Sequence, residues 1–325
     1  MLNIMMINFF TLFLLVLSAD AAATPPISEK DVCTATFRKL LNSEGATTWP
    51  PPCPAPAHLV PLYEGPRGSM PITRDFCLAQ RHEGGETKHW SESFLEKYRA
   101  DVAAGRTGGS YTVAHIAQLR AALRAHANNV LDGSAHVIVI GTDQPWIEVM
   151  LLDEGAASVL TFEYGKIEST HPRIAAQAPR DVAADFLAGD FEPVDAVVSY
   201  SSIEHSGLGR YGDALDPDAD VDAMEQAWCM LKPGGLAFIG LPMSCEDTGS
   251  IEFNAHRIYG HRRLAKIARG FEFVEFDAQG CQPYLPSREP QPVIILKKPA
   301  DGHFNTKSIR NDIVRWIDER DDAQL

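Results

Sequence analysis

The sequence lacks several features that would assign its class directly. No cysteines form a Cys-x-x-Cys pair, and no cysteine–histidine group has the spacing of a zinc site, so we expect no bound metal. The sequence contains no Asn-x-Ser/Thr glycosylation site, and no Gly-x-Gly-x-x-Gly fingerprint follows the first apolar strand-like run, His136–Ile140; the match to that pattern at Gly207–Gly212 lies in a later loop. These absences argue against a zinc module and weigh against an NAD-type oxidoreductase.

Positive charge is also scarce. The chain of 325 residues has 29 Lys and Arg against 43 Asp and Glu, which gives a formal net charge of −14. A nucleic-acid partner requires a basic face, and an anionic membrane surface would repel this chain. We therefore expect neither partner. The local basic cluster between His256 and Arg263 is either a solvated helix face or a surface for an anionic ligand.

The apolar run near the N-terminus, Ile4–Leu17, is too short for a membrane span, which needs about 20 apolar residues. Small residues follow it, which predicts a secretory signal peptide over residues 1–23, cut near Ala21 or Ala23. No Lys or Arg precedes the run, so an uncleaved signal anchor stays open. We expect a protein of the secretory pathway or a secreted protein, with no stable membrane span after cleavage. A membrane anchor is the alternative.

The six cysteines divide evenly between the N-terminal part and the α/β part of the chain. An oxidising compartment would allow one disulfide among Cys33, Cys53 and Cys77, whose pairing the sequence leaves open. Buried free thiols are the competing interpretation, and it is the one that we adopt for Cys229.

Composition and periodicity divide the rest of the chain into three parts. Residues 24–110 form an N-terminal extension, with a proline-rich segment, Trp49–Pro71, that is either an arm on the core or a linker. Its helix covers Ser91–Ala104. Residues 111–300 form the main domain, and residues 301–325 form an amphipathic tail.

In the main domain, buried strands alternate with helices, which is typical of a doubly wound α/β sheet. The predicted strands are His136–Ile140, Ser158–Glu163, Arg173–Gln177, Val194–Tyr200, Leu236–Leu241, Phe271–Asp277 and Pro292–Lys298. The predicted helices are one that begins at Thr112, Pro145–Glu154, Pro179–Leu187, Asp218–Leu231 and His256–Ala268. No helix separates the last two strands, so we expect them to form an antiparallel pair.

Ligands of such sheets bind beyond the carboxyl ends of the strands, so the loops there carry the candidate site. Gly141 ends the first strand, and Glu163 follows the second strand at a distance suited to accept ribose hydroxyls. The competing interpretation is that Glu163 is only a solvated residue at the end of its strand. The loop Ser201–Asp213 contains Glu204 and His205, which either form an acid–base pair or shape the loop.

Several of these motifs resemble a known superfamily. The segments Asp195–Ser199, Ile203–His205, Leu231–Leu236 and Pro242 resemble the back half of class I S-adenosylmethionine (SAM) methyltransferases. More closely, Val137–Gly270 resembles the uncharacterised family called domain of unknown function 268. This likeness implies a Rossmann-like, doubly wound sheet of seven strands with SAM as the cofactor. The superfamily's glycine-rich loop is reduced here to Gly141.

The resemblance also implies roles for the loop residues. SAM would contact Gly141, Thr142, Glu163, Tyr164 and Ser201. Glu204 and His205 would be catalytic, and the acceptor would meet Arg210, Tyr211, Asn254, His256 and Arg257. We therefore carry three hypotheses: a SAM-dependent methyltransferase for a small molecule or glycan, a catalytically inactive relative that binds a ligand or partner, and an NAD-type oxidoreductase.

Overall fold

The computed structural model describes residues 28–43, 49–66, 69–80, 86–106, 111–277 and 291–323. The predicted signal peptide, residues 1–23, lies outside the described residues and stays a prediction. Within the described part of the chain, no helix is long and apolar enough to cross a membrane.

The described residues form the following elements. The helices are α1 Glu29–Asn42, α2 Val60–Glu64, α3 Glu92–Ala103, α4 Val113–Ala125, α5 Ala127–Val130, α6 Trp146–Glu154, α7 Pro179–Ala188, α8 Ala219–Met230, α9 His261–Ile267 and α10 Arg310–Ala323. The strands are β1 Ile72–Asp75, β2 Lys88–Trp90, β3 His136–Ile140, β4 Ser158–Phe162, β5 Ile167–Ser169, β6 Ile174–Gln177, β7 Val194–Tyr200, β8 Leu231–Gly240, β9 Ser250–Phe253, β10 His256–Ile258, β11 Glu272–Phe276 and β12 Val293–Lys297.

Seven strands form the central sheet, in the order β11-β12-β8-β7-β3-β4-β6. Strand β12 is antiparallel to both of its neighbours, and the pairs from β8 to β6 are parallel. The predicted α/β sheet of seven strands, with its antiparallel last pair, is therefore confirmed. The strand order reverses between β3 and β7, so the topological switch point, where such sheets bind ligands, lies at their carboxyl ends.

The central strands are buried on both faces, as their continuous apolar sequence predicts. Side chains alternate along β3, so that Val137 and Val139 join one apolar layer while Ile138 joins the other. Strand β7 repeats this division with Val198 and Val197. Burial of each such side chain stabilises the fold by about 1.5–3 kcal/mol, and this holds the carboxyl ends of both strands at one edge.

The N-terminal extension supplies a helix that the main domain lacks. Between β4 and β6 the chain forms only the short strand β5, where a doubly wound fold ordinarily places a helix. Helix α3 packs against α6 instead, and its Leu95 and Val102 share an apolar cluster with Ile174 of β6. Strand β2 pairs with β5 in parallel and brings Lys88 to this edge of the domain.

Helix α1 covers the opposite face, where it packs against both α7 and α8. Ser28 caps its N-terminus by accepting the N–H of Asp31. A disulfide joins Cys33 of α1 to Cys229 of α8, so the prediction of a free thiol at Cys229 is wrong. The two cysteines lie 196 residues apart in sequence, and no local pattern could have paired them.

The structure also differs from the sequence-based prediction in the region after β8. The predicted helix His256–Ala268 is wrong at its start, because His256–Ile258 forms strand β10, antiparallel to β9. The helix begins only at His261. Strand β1 of the extension adds to the other edge of β9, and a second disulfide, Cys53–Cys77, ties the proline-rich segment there. That segment is therefore an arm on the core and not a linker.

Candidate functional site

The loops that follow β3, β4 and β7 enclose one cavity of about 420 Å³, a size typical of small-molecule sites. The prediction that the loops 141–145 and 201–213 meet at a single cleft is confirmed. Residues of both loops line the cavity, together with Ile140 and Phe162 at the ends of β3 and β4. The cavity therefore lies at the switch point of the sheet.

Gly141 permits the closest approach between these loops. Its φ is +71°, a conformation that favours glycine, and its N–H donates to the carbonyl of Phe162 at 3.0 Å. A Cβ at this position would lie 1.6 Å from Oγ and 2.5 Å from Cβ of Ser202. The single glycine of the loop is thus required by contact as well as by backbone conformation.

The remaining predicted cofactor residues of the first two loops also line the cavity. Thr142 is buried, and its hydroxyl donates to the carbonyl of Gln144 at 2.6 Å. Glu163 is 9% exposed, and its Oε1 accepts the N–H of Gly165 at 3.0 Å. Tyr164 is 56% exposed at the rim. The carboxylate and the exposed ring thus stand on the same wall.

Ser201 connects the cavity to a buried carboxyl group behind it. Its φ is +55°, and its hydroxyl donates to Oε1 of Glu204 at 2.7 Å while it accepts from Nε2 of Gln291 at 3.0 Å. Glu204 is fully buried and does not line the cavity, and burial raises its pKa to about 7. Glu204 is therefore placed to orient Ser201 and not to touch a ligand.

His205 does face the cavity, with a fixed tautomer. Its Nδ1 lies 2.5 Å from the carbonyl oxygen of Ala255, and a carbonyl only accepts, so Nδ1 carries the proton. Nε2 then holds the lone pair, 3.7 Å from Oε1 of Glu204. Burial lowers the pKa of His205 to about 3, so the ring is uncharged at neutral pH and presents a hydrogen-bond acceptor.

Of the predicted acceptor residues, Tyr211 alone lines the cavity. Arg210 lies beside it, with its guanidinium 4.9 Å from the Tyr211 ring centre and its Nε donating to Gln80 at 2.8 Å. His256 stacks edge-on near His205, with the ring centres 6.2 Å apart, and burial lowers its pKa. Arg210 and His256 thus stand near the cavity residues Tyr211 and His205 without lining the cavity themselves.

The expectation that Asn254 and Arg257 face an acceptor is wrong, because both are fully buried. Asn254 adopts φ +61°, accepts the N–H of Leu78 at 2.5 Å and donates to the carbonyl of Leu208 at 3.2 Å. Arg257 donates to backbone carbonyls of the 204–217 loop and pairs with Asp220 at 3.6 Å. A buried polar group must keep its partners, so these side chains shape the loop and are not free to bind a ligand.

Sequence reasoning missed the cavity residues that come from outside the main loops. Helix α1 lines the cavity with Thr36, Lys39, Leu40 and Ser43, and Tyr111 and Arg180 line it as well. Lys39 pairs with Asp222 of α8, which closes that side. The cysteine count could have signalled that the extension is tied to the core, because three cysteines in each part cannot all pair without at least one bridge between the parts.

Three further ionisable groups lie around the first two loops. Lys88 of β2 forms an ion pair with Asp143, and the charge of Glu163 opposes the lowering of the Lys88 pKa by burial. Glu148 lies fully buried behind the loop, where Thr161 donates to its Oε1 at 2.8 Å and burial raises its pKa to about 8. Within the described residues, no group of histidine, cysteine and acidic side chains is arranged to hold a metal ion.

Sheet order and cleft together define a Rossmann-like protein of the class I methyltransferase type. Residues 134–284 match the model of the family described as "Caenorhabditis protein of unknown function, DUF268". The likeness that the motifs suggested is thereby confirmed for this segment, which is a little under half of the chain. A search of curated proteins finds no match.

Solved methyltransferases share low sequence identity with the chain. The 1,6-didemethyltoxoflavin-N1-methyltransferase of Burkholderia thailandensis, solved with S-adenosylhomocysteine, is 16% identical over 63% of this chain and 87% of its own, with a TM-score of 0.42. The CcbJ methyltransferase of Streptomyces caelestis is 15% identical over 56% and 90%, with a TM-score of 0.38. The N-methyltransferase NodS of Bradyrhizobium japonicum is 15% identical over 64% and 98%, with a TM-score of 0.35.

Proposed function

We propose that the protein is a SAM-dependent methyltransferase whose acceptor is a small molecule or a glycan. The observation that carries this proposal is the cavity at the switch point, where Gly141 and Glu163 stand on adjacent loops. In folds of this type, a carboxylate after the second strand is suited to accept both hydroxyls of a ribose. The acceptor remains defined only by class.

The residues present fit the adenosine-bearing cofactor. Gly141 leaves backbone where a side chain would collide with Ser202, and the buried Glu163 lines the same cavity beside Tyr164. Gly141, Thr142, Glu163, Tyr164 and Ser201 would hold SAM, which supplies a methyl group activated by its sulfonium. Charge-assisted hydrogen bonds of the Glu163 kind contribute about 1.5–3 kcal/mol each.

At the acceptor end, the chain offers an uncharged base in a fixed orientation. Nε2 of His205 would accept a hydrogen bond from an O–H or N–H of the acceptor and would take up its proton, while SAM would supply the methyl group. Glu204, 3.7 Å away, stabilises the imidazolium that results. Tyr211 borders the same end, and Arg210 and His256 flank it. Catalysis then depends chiefly on holding the two reacting groups in line.

The low pKa of His205, about 3, favours a second candidate function, because so weak a base removes a proton poorly. In that case the protein is a catalytically inactive relative that binds a ligand or partner in the same cavity. The NAD-type oxidoreductase remains the third hypothesis. Binding of SAM does not separate the first two candidates, but transfer of its methyl group does.

Calorimetric titration of the purified protein with SAM, S-adenosylhomocysteine and NAD tests the cofactor directly. We expect Glu163→Ala to weaken SAM at least tenfold, since about 1.4 kcal/mol is a tenfold change. Glu163→Gln, which keeps the bond from Gly165, should weaken it less. Glu168→Ala is the matched control, because Glu168 pairs with Lys166 on the surface outside the cavity.

Failure of the wild-type protein to bind SAM would reject the methyltransferase proposal. Equal SAM affinity in the wild-type and Glu163→Ala proteins would show that the ribose lies elsewhere. Loss of folding in Glu163→Ala alone, with Glu163→Gln intact, would assign Glu163 a structural role that its bond to Gly165 explains.

We also propose that residues 1–23 direct the protein into the secretory pathway and are then cleaved, with an uncleaved anchor as the alternative. Two disulfides among the described residues, Cys33–Cys229 and Cys53–Cys77, are compatible with an oxidising compartment. N-terminal sequencing of natively expressed protein tests this proposal, which a sequence beginning at Met1 would reject.

A further inference from the structure

The loop 141–145 is held by side chains from the N-terminal extension. The hydroxyl of Tyr98, on α3, donates to Oε1 of Gln144. Nζ of Lys88, on β2, forms an ion pair with Asp143. A loop that contains a single glycine therefore has two of its side chains fixed by residues more than 40 positions earlier in the chain.

Lys88 occupies a particular place among these contacts. Its strand β2 pairs with β5, and its own N–H donates to the carbonyl of Lys166 at 2.9 Å, so the backbone at this position is fixed. Its ammonium group pairs with Asp143 of the first loop and interacts electrostatically with Glu163 in the second loop. Lys88 does not line the cavity. One cation thus stands between the two acidic loops.

Both Asp143 and Glu163 line the cavity, and like charges on adjacent loops repel one another. Without a counter-charge, this repulsion would push the loop 141–145 away from the loop that carries Glu163. A neutral contact such as that of Tyr98 with Gln144 fixes the loop but does not reduce the repulsion. The cation on β2 does both.

We propose that the N-terminal extension holds the cofactor loop in its binding shape, and that Lys88 is the positioning residue that keeps Asp143 and Glu163 together. The proposal rests on the proposed function, because it takes the loop 141–145 to be the cofactor loop. Lys88 acts through the two carboxylates and touches no ligand.

Two measurements on the full chain test the proposal. Amide hydrogen exchange of the peptide 141–148, recorded without ligand, reports the loop itself, and titration with SAM reports its binding shape. We expect Lys88→Met to speed exchange at least threefold and to weaken SAM about three- to tenfold, as the loss of a partly exposed ion pair allows. Lys88→Arg should restore both values.

Lys166→Met is the matched control, because Lys166 stands on the same edge but forms its ion pair with Glu168. It should change neither measurement. Unchanged exchange in Lys88→Met, or failure of Lys88→Arg to restore the wild-type rate, would overturn the proposal. Failure of the wild-type protein to bind SAM would reject only the proposed function, because the exchange comparison needs no ligand.

If Lys88→Met does not fold, Tyr98→Phe replaces it, since this variant removes only the hydroxyl that binds Gln144. Faster exchange of the loop in Tyr98→Phe would support the role of the extension. An unchanged rate would overturn it.

Discussion

Replacement of Gly141 by alanine tests the central geometric claim about the cavity. Two separate costs are expected, because the φ of +71° is unfavourable for a residue with a Cβ, and because that Cβ would collide with Ser202. Rotation of the Ser202 hydroxyl relieves only the 1.6 Å contact. The 2.5 Å contact to Cβ of Ser202 is fixed by the backbone.

The magnitudes of the two costs can be separated. The left-handed backbone costs about 1–2 kcal/mol, and forced overlap in a packed region costs about 1–3 kcal/mol. Gly189 provides the matched control, because its φ is +85° and a Cβ there would meet nothing within 4 Å. Gly189→Ala should therefore show the backbone cost alone, whereas Gly141→Ala should lower the free energy of unfolding by about 2–5 kcal/mol.

Urea denaturation of a double-mutant cycle measures the collision. Ser202→Gly removes both nearby atoms and leaves Cα of Ser202 at 3.8 Å, an ordinary contact. We expect Gly141→Ala to cost about 1–3 kcal/mol less in this background than in the wild-type protein. If the two substitutions are additive, or if Gly141→Ala costs no more than Gly189→Ala, the close approach of the two loops is wrong.

Two further predictions concern stability. Burial raises the pKa of Glu148 to about 8, so the native state retains a proton that the unfolded state loses above about pH 4.5, and the free energy of unfolding should fall as pH rises from about 4.5 to 8. Glu148→Gln should flatten this dependence and raise the free energy of unfolding by about 1–3 kcal/mol at pH 7–8, measured by urea titrations at each pH. A pH dependence equal to that of the wild-type protein would contradict this prediction. Joint replacement of Cys33 and Cys229 by alanine should lower the free energy of unfolding by about 2–5 kcal/mol in the same assay and weaken ligand binding, because α1 lines the cavity. Joint replacement of Cys53 and Cys77, which close a far shorter loop, should lower it less. An equal or smaller loss of stability from the Cys33/Cys229 replacement would refute this ranking.

The sheet can be predicted from the sequence because its strands carry their own signal. Continuous apolar runs predict both His136–Ile140 and Val194–Tyr200 with the bounds that the structure has. The resemblance adds a tight turn at residues 232–235, and the register of β8 on β7 shifts there, between Leu231 and Leu236. A continuous apolar run is therefore enough to predict a strand that is buried on both faces.

The strand at His256–Ile258 could not be predicted in this way. Its residues fit a helix that continues to Ala268, but they pair with β9, which itself pairs with β1 of the extension. Asn254 makes the turn that begins this strand by adopting φ +61°. The element depends on contacts with residues that are distant in sequence, and tertiary pairing overrides local pattern in such cases.

The sequence predicts which loops form the candidate site, but it does not predict which of their side chains line the cavity and which lie buried behind it. Position after a buried strand predicts that every polar side chain of a loop faces the ligand, and Ser201, His205 and Tyr211 do line the cavity. The rule fails for Glu204, which lies behind the cavity and bonds to Ser201. Burial distinguishes these cases, and burial within an irregular loop has no periodicity to reveal it.

The buried residues of the segment 253–260 have a role that follows from their contacts. Ala255 fixes the tautomer of His205 through its carbonyl, and Asn254 holds the backbone beside it. The matched segment 134–284 thus supplies the side of the cavity that we propose for the acceptor, together with the support behind it. The cofactor side is different, because Lys88 and Tyr98 lie outside that segment and hold the loop that Gly141 begins. The extension therefore supports the candidate cavity on both sides, because Lys88 and Tyr98 hold the loop 141–145 and Leu78 donates to the side chain of Asn254.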